Sequence, residues 1–448
     1  MNKHHEKLGT DKIPGLLFRQ SFPAIIGLLM MSLYNLVDAI FIGQSVGMLG
    51  IAALAIAAPV TMIVISIAQT IGIGASSIIS RSLGEKDMET AERTLGNFLS
   101  TCFMVGIAST ILGLIFLPTL LKIFGATDTI LPYASEYMKI ILYGTIFLCF
   151  TAASNNIIRA EGNAKLSMYI MLLSTITNVI LDPILIFGFD MGLQGAAIAT
   201  VIAQVLSAFA GFYYFASGKN SIKIHLKNLI LKWKIIKAIF TIGSSALARQ
   251  GAGAFVQAIL NNSLGFYGGD LAIAAYGIIN RVMMIIFMPM FGLLQGMQPI
   301  LGYNYGARLP KRAKEVVLYT IKATTVFSII AFIGLIIFIE PIARVFTSDA
   351  ELISLTTHAT RIAILMLPLV GFQVVASGVY QSLGKAVRAL IVSVLRQLVF
   401  LIPIIIVLPK YLGLDGIFYS MPIADFFAAL IISIMLFRQI RRFDPKEV

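Results

Sequence analysis

SGKNSIKIHLKNLILKWK, residues 217–234, is the most polar interior stretch of the chain, with five lysines in eighteen residues. On both sides of it lie apolar runs of about twenty residues, each long enough to cross a bilayer as a helix. Those runs segment into spans at 14–41, 51–80, 95–118, 133–158, 166–189 and 193–216 before the stretch. After it they fall at 235–264, 272–302, 317–340, 355–382, 387–409 and 413–437. The polar stretch therefore divides the spans six and six. The expected fold is an all-α polytopic membrane protein of twelve transmembrane helices in two six-helix bundles. An N-lobe is expected over 1–218, a linker over 219–234 and a C-lobe over 235–448.

Composition agrees. Charged residues make up 12% of the 448 positions and hydrophobic ones 58%, with a mean hydropathy of +0.90. A water-facing surface needs about 25% charged residues, so lipid is the solvent. The polar start of the chain lacks the basic-then-apolar order of a secretory signal. Cys102 and Cys149 lie inside apolar runs without motif spacing and read as packing residues.

The net charge of +13 is not a nucleic-acid footprint. Lys and Arg concentrate in the even-numbered connections and both tails: Arg81, Lys86 and Arg93; the five lysines of 217–234; Arg308, Lys311, Arg312 and Lys314; Arg438, Arg441 and Arg442. This is the positive-inside bias, and it places both termini in the cytoplasm of a prokaryotic inner-membrane protein.

The two halves resemble each other. Gly84 and Gly306, and likewise Gly162 and Gly384, are separated by 222 positions. At that offset Ile51-Ala52-Ala53 meets Ile273-Ala274-Ala275, Met62 meets Met284, Gly74 meets Gly296 and Ala91 meets Ala313. Six spans per half give both halves one orientation, so they are parallel repeats about a pseudo-twofold axis along the membrane normal. Two such bundles leave a cleft, and rocking one against the other gives alternating access.

A charge at the bilayer centre costs about 2.5–3.5 kcal/mol on insertion scales, which makes an intramembrane carboxylate a functional candidate. Three qualify: Asp38, Asp182 and Asp425. Asp38 shares a helix face with Tyr34, four residues earlier, and Asp182 with Asn178. Pro183 frees a backbone carbonyl beside Asp182. These oxygens suit a hard cation such as Na+, or a proton shared between crowded carboxylates; the sequence leaves both open. Asp425, with Arg396 in the preceding span, reads as a structural ion pair. Gln257, Asn261, Met284, Met288, Gln295 and Gln298 are candidates to line a substrate cavity, the methionines offering an adaptable apolar surface.

There is no GxxxxGK[ST] loop and no GxSxG elbow, and His4, His5, His225 and His358 have no metal-site spacing. No enzyme, cofactor or resident metal is expected, beyond Na+ at Asp38, Asn178 and Asp182.

Several long motifs now carry a resemblance over nearly the whole chain. They are FPAIIG (22–27), LYNLVDAIFIG (33–43), GIGASSIISRSLGEKD (72–87), NNIIRAEGNAK (155–165), NVILDPILIFG (178–188) and GLQGAAIAT (192–200). GMQPILGYNYGA (296–307) and QSLGKA (381–386) follow in the second half. The chain resembles the multidrug and toxic compound extrusion (MATE) family, in the prokaryotic branch with its cation site in the N-lobe. That resemblance implies a site on Asp38, Asn178, Asp182 and Thr200, supported by Tyr34 and Asn155. It implies H+- or Na+-coupled export of amphipathic, often cationic, organic compounds by a protein working as a monomer. The other branch's acidic ligands on the seventh and tenth spans are missing: SSALARQGAGAFVQAILNN (244–262) and RIAILMLPLVGFQVVASGVYQ (361–381) contain no carboxylate. Coupling is therefore expected in the N-lobe. Two other readings remain: a flippase for a lipid-linked sugar or cell-envelope precursor, and a non-transporting receptor or scaffold.

Overall fold

The computed structural model describes residues 5–218 and 220–443, and of Asn35 the backbone alone. His4 and Lys219 lie outside the described residues. After a short turn of helix at Lys7–Thr10, the first lobe consists of α1 (Ile13–Ser45), α2 (Met48–Glu85), α3 (Met88–Ile123), α4 (Leu131–Ala160), α5 (Ala164–Pro183, continued by a π turn at Ile184–Gly188) and α6 (Gly192–Ala216). The second begins with a continuous helical stretch, Trp233–Gly306, that breaks at Gly269. The break makes α7 (233–268) and α8 (270–306). Then come α9 (Pro310–Phe346), α10 (Ala350–Ala363 and Leu367–Ser382, bent by 58°), α11 (Ala386–Val407) and α12 (Pro409–Arg441). Among the described residues there is no strand.

The helices outrun the predicted spans. Met48–Glu85 has 38 residues, about 57 Å at 1.5 Å per residue, so it projects well beyond the hydrocarbon. Polar caps end the runs: Asp87 accepts from the Thr90 N–H at 3.0 Å and Asn163 from the Leu166 N–H at 3.3 Å, satisfying orphan donors of the next helix.

The repeat is visible in the backbone. Gly162 and Gly384 both take positive φ, 84° and 69°, which a side chain would strain. Gly47 and Gly269, again 222 apart, do the same at the opposite end of the lobes (φ 73° and 62°). Pro183 breaks the α-helical pattern as expected, and the π turn follows it directly. A second π segment, Leu395–Leu401, precedes Pro403 in α11.

The lobes meet at the end that carries the first and last described residues, through glycines that let backbones touch. A Cβ at Gly84 would stand 2.0 Å from the Tyr303 carbonyl oxygen, and one at Gly306 would stand 2.1 Å from that of Arg81. The same symmetry relates two further contacts. α7 packs on α2 through Gly243 against the Thr70 carbonyl (1.9 Å) and Gly74 against that of Ile239 (2.0 Å). α1 packs on α8 through Gly292 against Ile25 N (2.9 Å) and Gly296 against Ser21 Cα (2.7 Å). Ser77 Oγ donates to the Gln381 carbonyl at 2.5 Å across this seam. No such approach involves the opposite halves of α2 and α8, where a Cβ at Gly50 meets only α1 and its connection to α2, and one at Gly277 meets nothing. The cleft thus closes at the terminal end.

The connection after α6 lies along α3. Asn97 accepts from the Lys232 N–H at 2.6 Å and donates to the Asn228 carbonyl at 3.2 Å, while Ser100 donates to that of Leu229 at 2.7 Å.

Candidate cation and substrate site

α1 carries Tyr34 and Asp38 one turn apart; α5 carries Asn178 and Asp182; α6 brings Thr200 against them. The Asn178 amide nitrogen donates to Asp182 Oδ1 at 3.2 Å and to Thr200 Oγ1 at 3.1 Å. Tyr34 lies near Thr200 and near both carboxylates, and Asp38 lies near Asp182. The group is buried: Asp182 is 0% exposed, Asn178 2% and Asp38 7%.

Three oxygens are left over. Asp38 Oδ1, Asn178 Oδ1 and Asp182 Oδ2 are buried without a hydrogen-bond partner, and neither carboxylate forms an ion pair among the described residues. A buried acceptor without a donor is costly, and an uncompensated buried charge more so. The donor set is entirely oxygen and carries up to two negative charges. It fits a proton or a hard monovalent cation as cargo.

Beside these residues lies a cavity of about 160 Å³. Tyr34, Asn178, Thr200, Asn155, Arg159 and Gln204 are among the polar residues that line it. Leu28, Met31, Ile65 and Met171 supply apolar surface. Polar groups set into an apolar pocket are the usual form of a small-molecule site. Asn155 sits on the cavity wall, but its bonds run to Ser167 Oγ (3.0 Å) and the Thr151 carbonyl (3.0 Å), away from Asp182.

The six residues expected to line a substrate cavity do not share one. Gln295 reaches it from α8. Gln298 instead donates to Gln381 Oε1 at 2.8 Å in the seam between lobes. Met288 accepts from Ser32 Oγ at 3.1 Å, while Met284 is exposed. Gln257 and Asn261 bond to each other at 3.0 Å within α7. Residue type grouped these six; helix rotation separates them. Arg396 and Asp425 do pair. Arg396 Nε donates to Asp425 Oδ1, and Nη2 reaches Oδ2 at 3.3 Å.

Three residues escaped the sequence reading. Tyr137 of α4, buried, lies near Asp38, Tyr34 and Asp182. Arg159 and Gln69 line the cavity floor. A signal for Arg159 existed, a basic residue at the end of an apolar span, but it sat within a turn motif.

Twelve helices in two pseudo-symmetric lobes, enclosing a cavity beside two carboxylates without ion pairs, define a multi-pass membrane transporter. The chain belongs to the MatE family, which it matches over residues 23–184 and 252–407. That family consists of transporters and not enzymes. The chain is 29% identical over 410 residues to the multidrug export protein MepA of Staphylococcus aureus (strain MSSA476), covering 92% of this chain and 90% of that protein. It superposes on the outward-facing conformation of a multidrug resistance MATE family transporter of the MOP superfamily with a TM-score of 0.92, at 27% identity and 99% of each chain. It is also similar to the MATE multidrug transporter DinF-BH (TM-score 0.91, 42% identity, 98% of each chain).

Proposed function

We propose that this chain is a cation-coupled multidrug efflux antiporter. It exchanges H+ or Na+ bound at Asp38, Asn178 and Asp182 for an amphipathic, often cationic, organic compound held in the adjoining cavity. The observation that carries the reading is the set of three buried, partnerless acceptor oxygens on and between two uncompensated carboxylates, beside that cavity. The kinship with multidrug export proteins supports the substrate class and gives the flippase and scaffold readings no support.

The chemistry follows from charge. When a proton or Na+ binds the carboxylate pair, its negative charge falls by one and its attraction for a cationic compound weakens; when the compound binds, the coupling ion is displaced. Mutual exclusion at one site is a negative coupling between two ligands, and it is reciprocal. Asp38 is on α1, whose first half is packed on α8 through Gly292 and Gly296, so a change of charge there bears directly on the seam. Asp182 holds the geometry through Asn178. The distribution of Lys and Arg puts the sealed terminal end in the cytoplasm, so the cleft faces outward and both tails inward.

The test is export of ethidium by purified protein in liposomes, with proton and sodium gradients imposed separately. Flux driven by one gradient and lost in Asp38→Asn and Asp182→Asn is expected, and it names the ion. Normal gradient-driven flux in both variants would remove the site; absence of flux under either gradient, with folded protein, would remove the antiport reading.

A further inference from the structure

Arg159 ends α4 at the floor of the cavity, 5% exposed. Its Nη1 donates to Ser167 Oγ and its Nη2 to Asn156 Oδ1, each at 2.9 Å. Both partners are neutral. Among the described residues it forms no ion pair. The nearest acid in sequence, Glu161, turns away to accept the Tyr214 hydroxyl. A buried guanidinium without an ion-pair partner is costly, as are the unpaired carboxylates behind Tyr34 and Asn178 on the same cavity.

Its neighbours are oriented by it. Arginine only donates, so Asn156 must present its oxygen to Arg159 and its amide nitrogen elsewhere. That nitrogen donates to Gln69 Oε1 at 3.0 Å. Gln69 then has its own amide nitrogen left, with no partner among the described residues, on the cavity wall. The floor therefore offers N–H groups backed by a positive charge, while Gln204 Oε1, Gln295 Oε1 and Thr151 Oγ1 remain as buried acceptors without donors.

We propose that Arg159 makes the cavity floor an anion subsite, one that takes the carboxylate of a zwitterionic compound whose cationic part lies toward Asp38 and Asp182. The inference deepens the antiport reading by naming a substrate class, and rests on it. A planar guanidinium with free N–H groups matches a carboxylate in geometry as well as charge.

The test uses the full chain in phosphatidylcholine nanodiscs and two dyes: rhodamine B, a zwitterion with a free carboxylate, and its ethyl ester, which is a cation. Fluorescence anisotropy gives the dissociation constants. The wild-type protein is expected to bind the free acid at least tenfold tighter than the ester. Arg159→Gln should bring that ratio close to one, and Arg159→Lys should restore it in part, as a point charge without the fork. Equal weakening of both dyes in Arg159→Gln, or no wild-type preference, overturns the subsite. The wild-type preference requires no variant, so a folding defect in Arg159→Gln leaves the test intact. Gradient-driven flux of the ester in wild-type liposomes is measured alongside. A flat binding ratio with coupled ester flux sinks the anion subsite alone; a clear ratio without coupled flux sinks the antiport reading alone.

Discussion

Three buried carboxylates within the spans meet two fates. Asp425 has a guanidinium across from it, Asp38 and Asp182 have each other and a cavity, and each arrangement has its own energetics. Removing one partner of a buried pair leaves the other charge stranded, at about 3–5 kcal/mol, whereas replacing both with apolar groups of similar size is near neutral. Asp425→Asn is therefore expected to lower the thermal melting point more than the double change Arg396→Leu with Asp425→Leu. A double variant as unstable as the single would mean that the pair is not the source of the effect. Glu161, in the turn after α4, is a fourth case outside the membrane. It is 0% exposed, and burial pushes its carboxyl up to about 7, although the Tyr214 hydroxyl and the N–H groups of Ser221 and Ile222 favour the ionised form. The folded state then holds a proton that the unfolded state has lost, so the native state loses stability as pH rises from the ordinary glutamate range to about 7. The loss is on the order of 3 kcal/mol at 1.36 kcal/mol per pKa unit. Melting curves from pH 5 to pH 8 should fall more for the wild type than for Glu161→Gln; parallel curves would remove the claim.

At the scale of helices, proximity depends on missing side chains. Gly84 and Gly306 bring α2 and α8 to backbone contact, and a Cβ on either would stand about 2 Å from a carbonyl oxygen. Gly84→Val cannot coexist with the sealed seam, so it should shift the population toward states open at the terminal end. A reporter is at hand: Ser77, 5% exposed and bonded across the seam. In a chain with Cys102 and Cys149 replaced by serine, Ser77→Cys should react slowly with maleimide, and at least several-fold faster once Gly84→Val is added. Equal rates would show that the added side chain leaves the seam as closed as before, and would remove the role given to these glycines. The break at Gly269 belongs to the same scale, since its positive φ separates α7 from α8 within one continuous helical stretch.

Over the whole molecule, alternating access asks that one end of the cleft close as the other opens. The two lobes are joined through a connection that is itself held to α3 by Asn97 and Ser100. Both native cysteines belong inside the N-lobe, Cys102 at 1% and Cys149 at 0% exposure, and not in the moving seam. They should therefore stay unreactive to maleimide in the presence or absence of a cation gradient, and react only on unfolding. Labelling that follows the gradient would place the motion inside the lobe.

The sequence by itself determined the architecture. Apolar runs of bilayer length, a positive-inside bias and a 222-residue repeat act through solvent transfer and symmetry, and none of them depends on knowing which helix touches which. It also exposed Asp38, Asn178 and Asp182, because a carboxylate inside a span is expensive wherever the helix points, and a spacing of four fixes the shared face. Thr200 and Asn155 were visible only through family resemblance, since hydroxyls and amides are common in spans. The tertiary structure decided the rest: which oxygens lack a donor, why Gln295 reaches the cavity when Gln257 and Asn261 do not, and why Arg159 has no counter-charge when Arg396 has one. Those properties belong to pairs of residues on different helices. A one-dimensional pattern records periodicity along a helix, but helix rotation and crossing angle are fixed only when whole lobes pack.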